Sequence, residues 1–133
     1  MKLRILLFVV ASAVLTLPGA RAAAPVVVTH VADAKKTSTT VRTTEQIKIV
    51  LPVPTNAPPD YEWQNMSNDS RILRLTSSPR LVTATEKTAA ATWSTTYVAL
   101  RPGRSILRFV YVPKAENTVE TSFDNREIIV NAR

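Results

Sequence analysis

The sequence of 133 residues contains no cysteine and only one histidine, His30. The lack of cysteine excludes disulfide bonds, thiolate metal ligands and cysteine nucleophiles. His30 forms no Asp-x-His or Glu-x-x-His pattern, so a metal site is not expected there. Because cysteine is absent and His30 is the only histidine, we expect neither an enzyme nor a metal or cofactor site.

Charged residues are also scarce, at 20% of the chain, whereas hydrophobic residues make up 45%. Such a chain is too apolar to be intrinsically disordered, and its length suits one folded domain. Lys and Arg number 17 against 10 Asp and Glu, a formal net charge of +7. Three of the basic residues lie within residues 1–22, so the rest of the chain carries about +4. This excess is ordinary for a folded domain and does not indicate nucleic-acid binding.

Residues 1–22 have the three-part pattern of a secretory signal peptide. Lys2 and Arg4 flank an apolar run, residues 5–17, which is shorter than the roughly 20 residues needed to span a bilayer. Small residues at Ala20 and Ala22 occupy the positions that signal peptidase reads. We expect cleavage after Ala22 and a periplasmic or secreted domain, residues 23–133, without a membrane anchor. The alternative is an uncleaved anchor.

The rest of the chain favours β-strands, because it is rich in β-branched residues and has a single glycine, Gly103. Ile47, Ile49 and Leu51 occupy alternate positions, and residues 105–111 repeat this pattern, as in half-buried strands. The nine predicted strands are residues 26–31, 37–42, 46–51, 61–65, 72–76, 81–85, 94–100, 105–111 and 126–130.

Turn signals separate these strands about every ten residues. Apart from a predicted hairpin at 100–104, which contains Pro102 and Gly103, the breaks are residues 52–60, 77–79, 86–91 and 113–122. The pattern predicts an all-β fold, an immunoglobulin-like antiparallel two-sheet β-sandwich, with a barrel as the alternative. A sandwich gathers its loops at two ends, where such folds acquire binding functions.

Three parts of the sequence resemble one known family. They are the run of residues 45–52, the proline-rich loop that Tyr61-Glu62-Trp63 closes, and the glycine turn before residues 105–111. Over about residues 37–131 the chain resembles the chagasin-like inhibitors of papain-type cysteine proteases. The resemblance implies an immunoglobulin-like sandwich with three neighbouring loops that enter the protease cleft. The family's loops carry Asn-Pro-Thr-Thr-Gly, Gly-x-Gly-Gly, and Arg-Pro-Trp or Arg-Pro-Phe motifs.

The loops of this chain depart from those motifs. The resemblance assigns protein-binding roles to Asn56, Pro58, Pro59 and Tyr61 in the first loop, Ala89, Ala90 and Ala91 in the second, and Pro113 and Lys114 in the third. Residues 57–60 replace Pro-Thr-Thr-Gly, alanines replace the glycines, and the third loop lacks the arginine and the aromatic residue. The resemblance implies a protein partner, a papain-type cysteine protease. The alternative is a non-inhibitory binding or adaptor module of the cell envelope, using edge strand 26–31.

Processing of the first segment is testable. Protein recovered from cells that export it should begin at Ala23, as measured by amino-terminal sequencing and intact mass. Replacing the small Ala22 by Leu should block this cleavage, whereas Ala24→Leu should leave it unchanged. A chain that keeps Met1 and stays in the membrane fraction would contradict the prediction and favour the uncleaved anchor.

Overall fold

The computed structural model describes residues 25–67, 70–83, 90–114 and 122–133, and within them the chain forms eight strands and no helix. The strands are β1 (Val27–Val31), β2 (Lys36–Val41), β3 (Gln46–Pro52), β4 (Tyr61–Ser67), β5 (Leu73–Val82), β6 (Thr92–Ala99), β7 (Gly103–Pro113) and β8 (Asp124–Ala132). The expected signal peptide, residues 1–22, lies outside the described residues. In the described part of the chain, no helix is long and apolar enough to cross a membrane.

The strands form two four-stranded sheets. The first has the order β1-β3-β6-β5 and the second β2-β8-β7-β4. In each sheet three strands are antiparallel neighbours, and a fourth, β1 or β2, joins one edge in parallel. The predicted all-β class and immunoglobulin-like sandwich are confirmed, with these parallel edges as a detail that the sequence pattern did not indicate.

The core lies between the two sheets and follows the alternation in the sequence. Ile47, Ile49 and Leu51 of β3 are fully buried, and so are Leu107 and Phe109 of β7. Burying a side chain of this size contributes about 1.5–3 kcal/mol relative to leaving it in water. The inward orientation predicted for alternate residues of both segments is therefore confirmed.

A polar contact also joins the two sheets across this core. The side-chain amide of Asn65 on β4 donates a hydrogen bond to the hydroxyl of Tyr97 on β6. Burial raises the pKa of Tyr97 to about 12, although hydrogen bonds with Thr95 and Asn65 oppose the rise. The buried hydroxyl is thus neutral and hydrogen-bonded, as a polar group in a core must be to avoid a desolvation penalty.

The predicted hairpin at residues 100–104 is wrong. The turn exists, but β6 before it belongs to the first sheet and β7 after it to the second. Each of these strands already has two neighbours in its own sheet, so the turn crosses between the sheets. Gly103 has a φ of 149°, and a Cβ atom there would lie 2.5 Å from Cδ1 of Ile72. The backbone conformation therefore favours glycine, and a larger residue would also have to displace the end of the Ile72 side chain.

The predicted break at residues 77–79 is also wrong. The segments 72–76 and 81–85 belong to one strand, β5, which ends at Val82; residues 84 and 85 lie outside the described part of the chain. The ladder with β6 shifts register between Leu75 and Ser77 and again between Ser77 and Arg80. Because β5 is an edge strand, Pro79 at a bulge removes no essential hydrogen bond from the ladder.

An ion-pair cluster joins the crossing between β1 and β2 to the start of β8. Lys35 Nζ and Arg126 Nη2 lie 2.6 Å and 2.9 Å from the carboxylate oxygens of Asp124. Burial by itself would raise the pKa of Asp124. Hydrogen bonds from Lys35, Arg126 and the N–H of Asn125 outweigh that effect, so the pKa lies below its ordinary value.

This cluster predicts a loss of stability in acid. Because the pKa of Asp124 is lower in the folded state, its contribution is present above the unfolded-state pKa of about 4 and is lost as the pH falls through the folded-state pKa. Asp124→Asn should lower the free energy of unfolding at neutral pH by about 2 kcal/mol, the scale of a buried hydrogen bond to a charged group. It should also remove this part of the acid dependence.

Urea denaturation of both proteins across the acid range measures the two effects. Asp33→Asn is a matched control, because Asp33 is an exposed residue of the same crossing. An Asp124→Asn variant with the stability and pH profile of the original protein would contradict the role given to the cluster.

Candidate functional site

Three loops meet at one end of the sandwich, which we call the binding end. They are loop 1 (residues 53–60), loop 2 (residues 83–91) and loop 3 (residues 114–123), of which residues 84–89 and 115–121 lie outside the described part. Each loop follows a strand that runs in the same direction, namely β3, β5 and β7. The topology therefore gathers these loops, and the turns at residues 42–45 and 100–102 lie at the opposite end.

Loop 1 is shaped by two residues in the left-handed region. The N–H of Ala57 donates to the carbonyl of Pro54 at 3.2 Å and closes a turn around Asn56, whose φ is 60°. Positive φ at the third position of a turn is typical of a type II turn. Asp60 at the end of the loop has a φ of 65°. Asn and Asp tolerate this conformation better than other residues with a side chain.

Main-chain hydrogen bonds hold both described ends of loop 3, and one of these bonds joins it to loop 1. The N–H of Lys114 donates to the carbonyl of Asp60 at 3.0 Å. At the base of loop 3, the N–H of Phe123 donates to the carbonyl of Tyr111 at 2.8 Å. The described ends of loop 3 are thus fixed to the framework, and the first loop shares one of these attachments.

A cluster of aromatic rings lies beneath the loops. The ring centroid of Tyr111 is 5.1 Å from Trp63, 5.8 Å from Tyr61 and 6.3 Å from Trp93. Phe123 meets Tyr61 edge to face at 6.4 Å. Aromatic pairs at these distances contribute about 0.5–1.5 kcal/mol beyond the area they bury. The cluster supports the loops from below, and Phe123 and Tyr61 extend it to the surface.

The two tryptophans use their indole groups differently. Trp63 is buried, and its N–H donates to the carbonyl of Pro52 at 2.8 Å. The buried N–H of Trp93 makes no hydrogen bond of normal geometry in the described part of the chain. Burial raises the pKa of Tyr111, and the nearby indole of Trp93 opposes the rise only in part.

A groove of ≈ 420 Å³ opens between the loops and above the aromatic cluster. The residues that line it are Val53, Ala57, Pro58, Pro59, Asp60, Tyr61, Leu81, Ala91, Trp93, Tyr111 and Lys114. Most of these are apolar, and two of opposite charge, Asp60 and Lys114, are connected through their main chains. Among the described residues no group of three His, Asp or Glu side chains could hold a metal ion. The groove is suited to apolar contact with a partner.

The structure brings most of the predicted binding residues to this end. Five of them line the groove: Pro58, Pro59, Tyr61, Ala91 and Lys114. Three lie beside it, namely Asn56 in the turn of loop 1, Ala90 next to Ala91, and Pro113 at the end of β7. Ala89 lies outside the described residues. Their contact with a partner remains a prediction.

The left-handed conformation of Asp60 bears on the altered first motif. The resemblance sets Asp60 where the family has a glycine, and a φ of 65° is one that glycine adopts freely. Asp60 thus has a backbone conformation that a glycine at this position could also adopt.

Sequence reasoning missed part of the groove. Leu81 and Val53 contribute exposed apolar surface from β5 and from the start of loop 1. Phe123, which is 43% exposed, supplies an aromatic ring at the returning end of loop 3. The family motif of the third loop covers only the beginning of that loop, so it does not mark Phe123.

The fold is similar to those of three solved proteins, one of which is a cysteine protease inhibitor. EhICP2, a cysteine protease inhibitor from Entamoeba histolytica, has a TM-score of 0.62 at 12% identity, covering 84% of this chain and 100% of that chain. Amebosin has a TM-score of 0.56 at 18% identity, covering 83% and 100%. PbICP-C, solved in complex with falcipain-2, has a TM-score of 0.54 at 12% identity, covering 80% and 92%. These similarities confirm the resemblance at the level of the fold.

Sequence comparison alone does not find these proteins: no protein-family model and no curated protein matches the chain.

The strained residues of loop 1 give a prediction. Asn56→Gly and Asp60→Gly should leave the free energy of unfolding nearly unchanged, because glycine adopts positive φ without steric cost. Asn56→Val and Asp60→Val should each lower the free energy of unfolding by about 1–2 kcal/mol, since a β-branched side chain clashes there. Chemical denaturation measures both series. Equal effects of glycine and valine would contradict the backbone assignment.

Proposed function

We propose that the protein inhibits papain-type cysteine proteases by inserting the binding end into the active-site cleft. The observation that carries the proposal is the meeting of three loops around one apolar groove, on a fold similar to those of EhICP2 and PbICP-C. A protein partner is supported by the complex of PbICP-C with falcipain-2, a cysteine protease. The similar proteins are inhibitors, which agrees with a binding role for this chain and not with an enzymatic one.

The loops have properties that favour docking into a cleft. Pro58 and Pro59 restrict loop 1, so little conformational entropy is lost when a partner holds it. Ala90 and Ala91 have small side chains, which let the backbone of loop 2 approach a partner closely. Tyr61 and Phe123 present aromatic rings beside these loops. Aromatic residues at the centre of an interface commonly supply much of its binding energy.

Inhibition in this mechanism requires only occupation of the cleft. The loops would exclude the peptide substrate, so the protein would compete with substrate and would not itself be consumed. No nucleophile, metal or cofactor is needed from the inhibitor. Phe123 would take the place of the aromatic residue that the third family motif carries near the start of its loop.

Export is part of the proposal. The signal-peptide pattern of residues 1–22 would deliver the domain to the periplasm or the extracellular space. An exported domain without cysteines depends on its core and not on disulfides, which is feasible for a chain of this size.

A second candidate function is a non-inhibitory binding or adaptor module of the cell envelope. The observation in its favour is β1, an edge strand with exposed valines at Val27 and Val31. Such an edge can accept a strand from another protein. This function would use the side of the sandwich and leave the binding end free.

Inhibition assays distinguish the two functions. The purified protein should inhibit papain or falcipain-2 competitively with an inhibition constant at or below about 1 µM. Replacing Pro58 and Pro59 together by Gly should weaken inhibition about tenfold, because two fixed φ angles are released. Pro102→Gly is the matched control, since it changes a proline at the opposite end and should leave inhibition unchanged. No inhibition at micromolar concentration would contradict the proposal and favour the adaptor function.

A further inference from the structure

The four edge strands of the sandwich differ in how they are protected against pairing with another chain. Exposed strand edges are protected in natural proteins by charged residues, prolines and bulges. β2 begins with Lys36, and β4 carries Glu62 and a bulge between Asn65 and Ser67. β5 carries two arginines, Pro79 and two register shifts. Three of the four edges therefore have such features.

β1 has none of them. Its sequence, Val-Val-Thr-His-Val, contains no lysine, arginine, acidic residue or proline, and its register with β3 is regular throughout. Val27 is 48% exposed and Val31 is 53% exposed. The inward side chains hold the strand in place: Val28 packs against the core, and His30 Nε2 lies 2.8 Å from Oγ1 of Thr37. β1 is thus an ordered edge with exposed apolar side chains.

The backbone of β1 has free hydrogen-bonding groups on a defined set of residues. The carbonyl of Val26 accepts from the N–H of Gln46, and the N–H of Ala32 donates to the carbonyl of Val50. The even-numbered residues therefore face β3. Because successive residues of a strand point their N–H and C=O groups to opposite sides, those of Val27, Thr29 and Val31 point to the open edge. No described strand pairs with that edge.

We propose that the open edge of β1 pairs with β1 of a second copy of this chain, antiparallel and centred on Thr29. In this register Thr29 lies opposite its own copy, and Val27 lies opposite Val31 of the second copy. Each of these pairs exchanges two main-chain hydrogen bonds, so every free group of the edge finds a partner. The two first sheets then form one continuous eight-stranded sheet.

The side chains agree with this register. Thr29, Val27 and Val31 are exposed on the same face of the first sheet. Opposed pairs of threonine, and of valine with valine, are favourable cross-strand neighbours. The next residues along the ladder are Pro25 and Asp33, so no two like charges are brought together. The inference does not depend on the inhibitory function.

Sedimentation velocity of the purified protein tests the proposal. The interface is small, so we expect the mass to rise toward twice that of the monomer between about 1 µM and about 1 mM. Thr29→Lys should abolish this rise, because it places two positive charges opposite each other. Thr40→Lys is the matched control on an exposed position of the other parallel edge strand, β2, and should dimerise as the original protein does.

Charge complementation makes the test specific. Thr29→Glu alone should also be monomeric, but an equal mixture of Thr29→Lys and Thr29→Glu should dimerise, because the symmetry puts unlike charges opposite each other. Thr29→Val should strengthen the dimer by adding an apolar pair, a result that a folding defect cannot produce. A protein that stays monomeric at about 1 mM, or a mixture that fails to dimerise, would overturn the proposal. Failure of inhibition would leave it unaffected.

Discussion

Contact between the inner faces of the two sheets is the interaction on which the rest of the structure depends. Tyr97 from the first sheet and Phe109 from the second are fully buried in the shared core. Because side chains alternate along a strand, a shift of one residue would turn these groups outward, so the core fixes the register of every strand. The register in turn fixes where each strand ends. Since β3, β5 and β7 run in one direction, loops 1, 2 and 3 must meet at the same end.

The sequence was sufficient for the elements that the core determines directly. Ile47 belongs to a strand whose buried residues alternate, and Phe109 lies on β7, which alternates up to that residue before burying both faces at residues 110–112; such alternation gives a clear period of two. The sequence was insufficient where the position of a strand in the sheets depends on residues far away along the chain. The turn at Pro102 and Gly103 was recognisable, but which sheet each flanking strand would join depends on contacts far along the chain. Pro79 lies in a predicted break because proline is tolerated within a strand only at an edge or a bulge. The local sequence does not show that β5 is an edge strand, since this depends on the order of the strands in the sheet.

The candidate site was predictable to a similar degree. The loops were found by resemblance and by turn signals, and five of the nine residues line the groove. The aromatic cluster beneath the groove was not predicted, because its rings come from different strands. Tyr111 meets Trp93 because β7 ends and β6 begins near the binding end. Phe123 contacts Tyr61 from the position just before β8. Spacing along the sequence carries no information on such meetings.

Each described end of loop 3 has its own attachment to the framework. Lys114 is fixed to Asp60, Phe123 is fixed to Tyr111, and Asp124 is held by Lys35 and Arg126. All of these contacts are made by residues outside the stretch 115–121. A new recognition sequence grafted between Lys114 and Phe123 would therefore leave every one of these attachments in place.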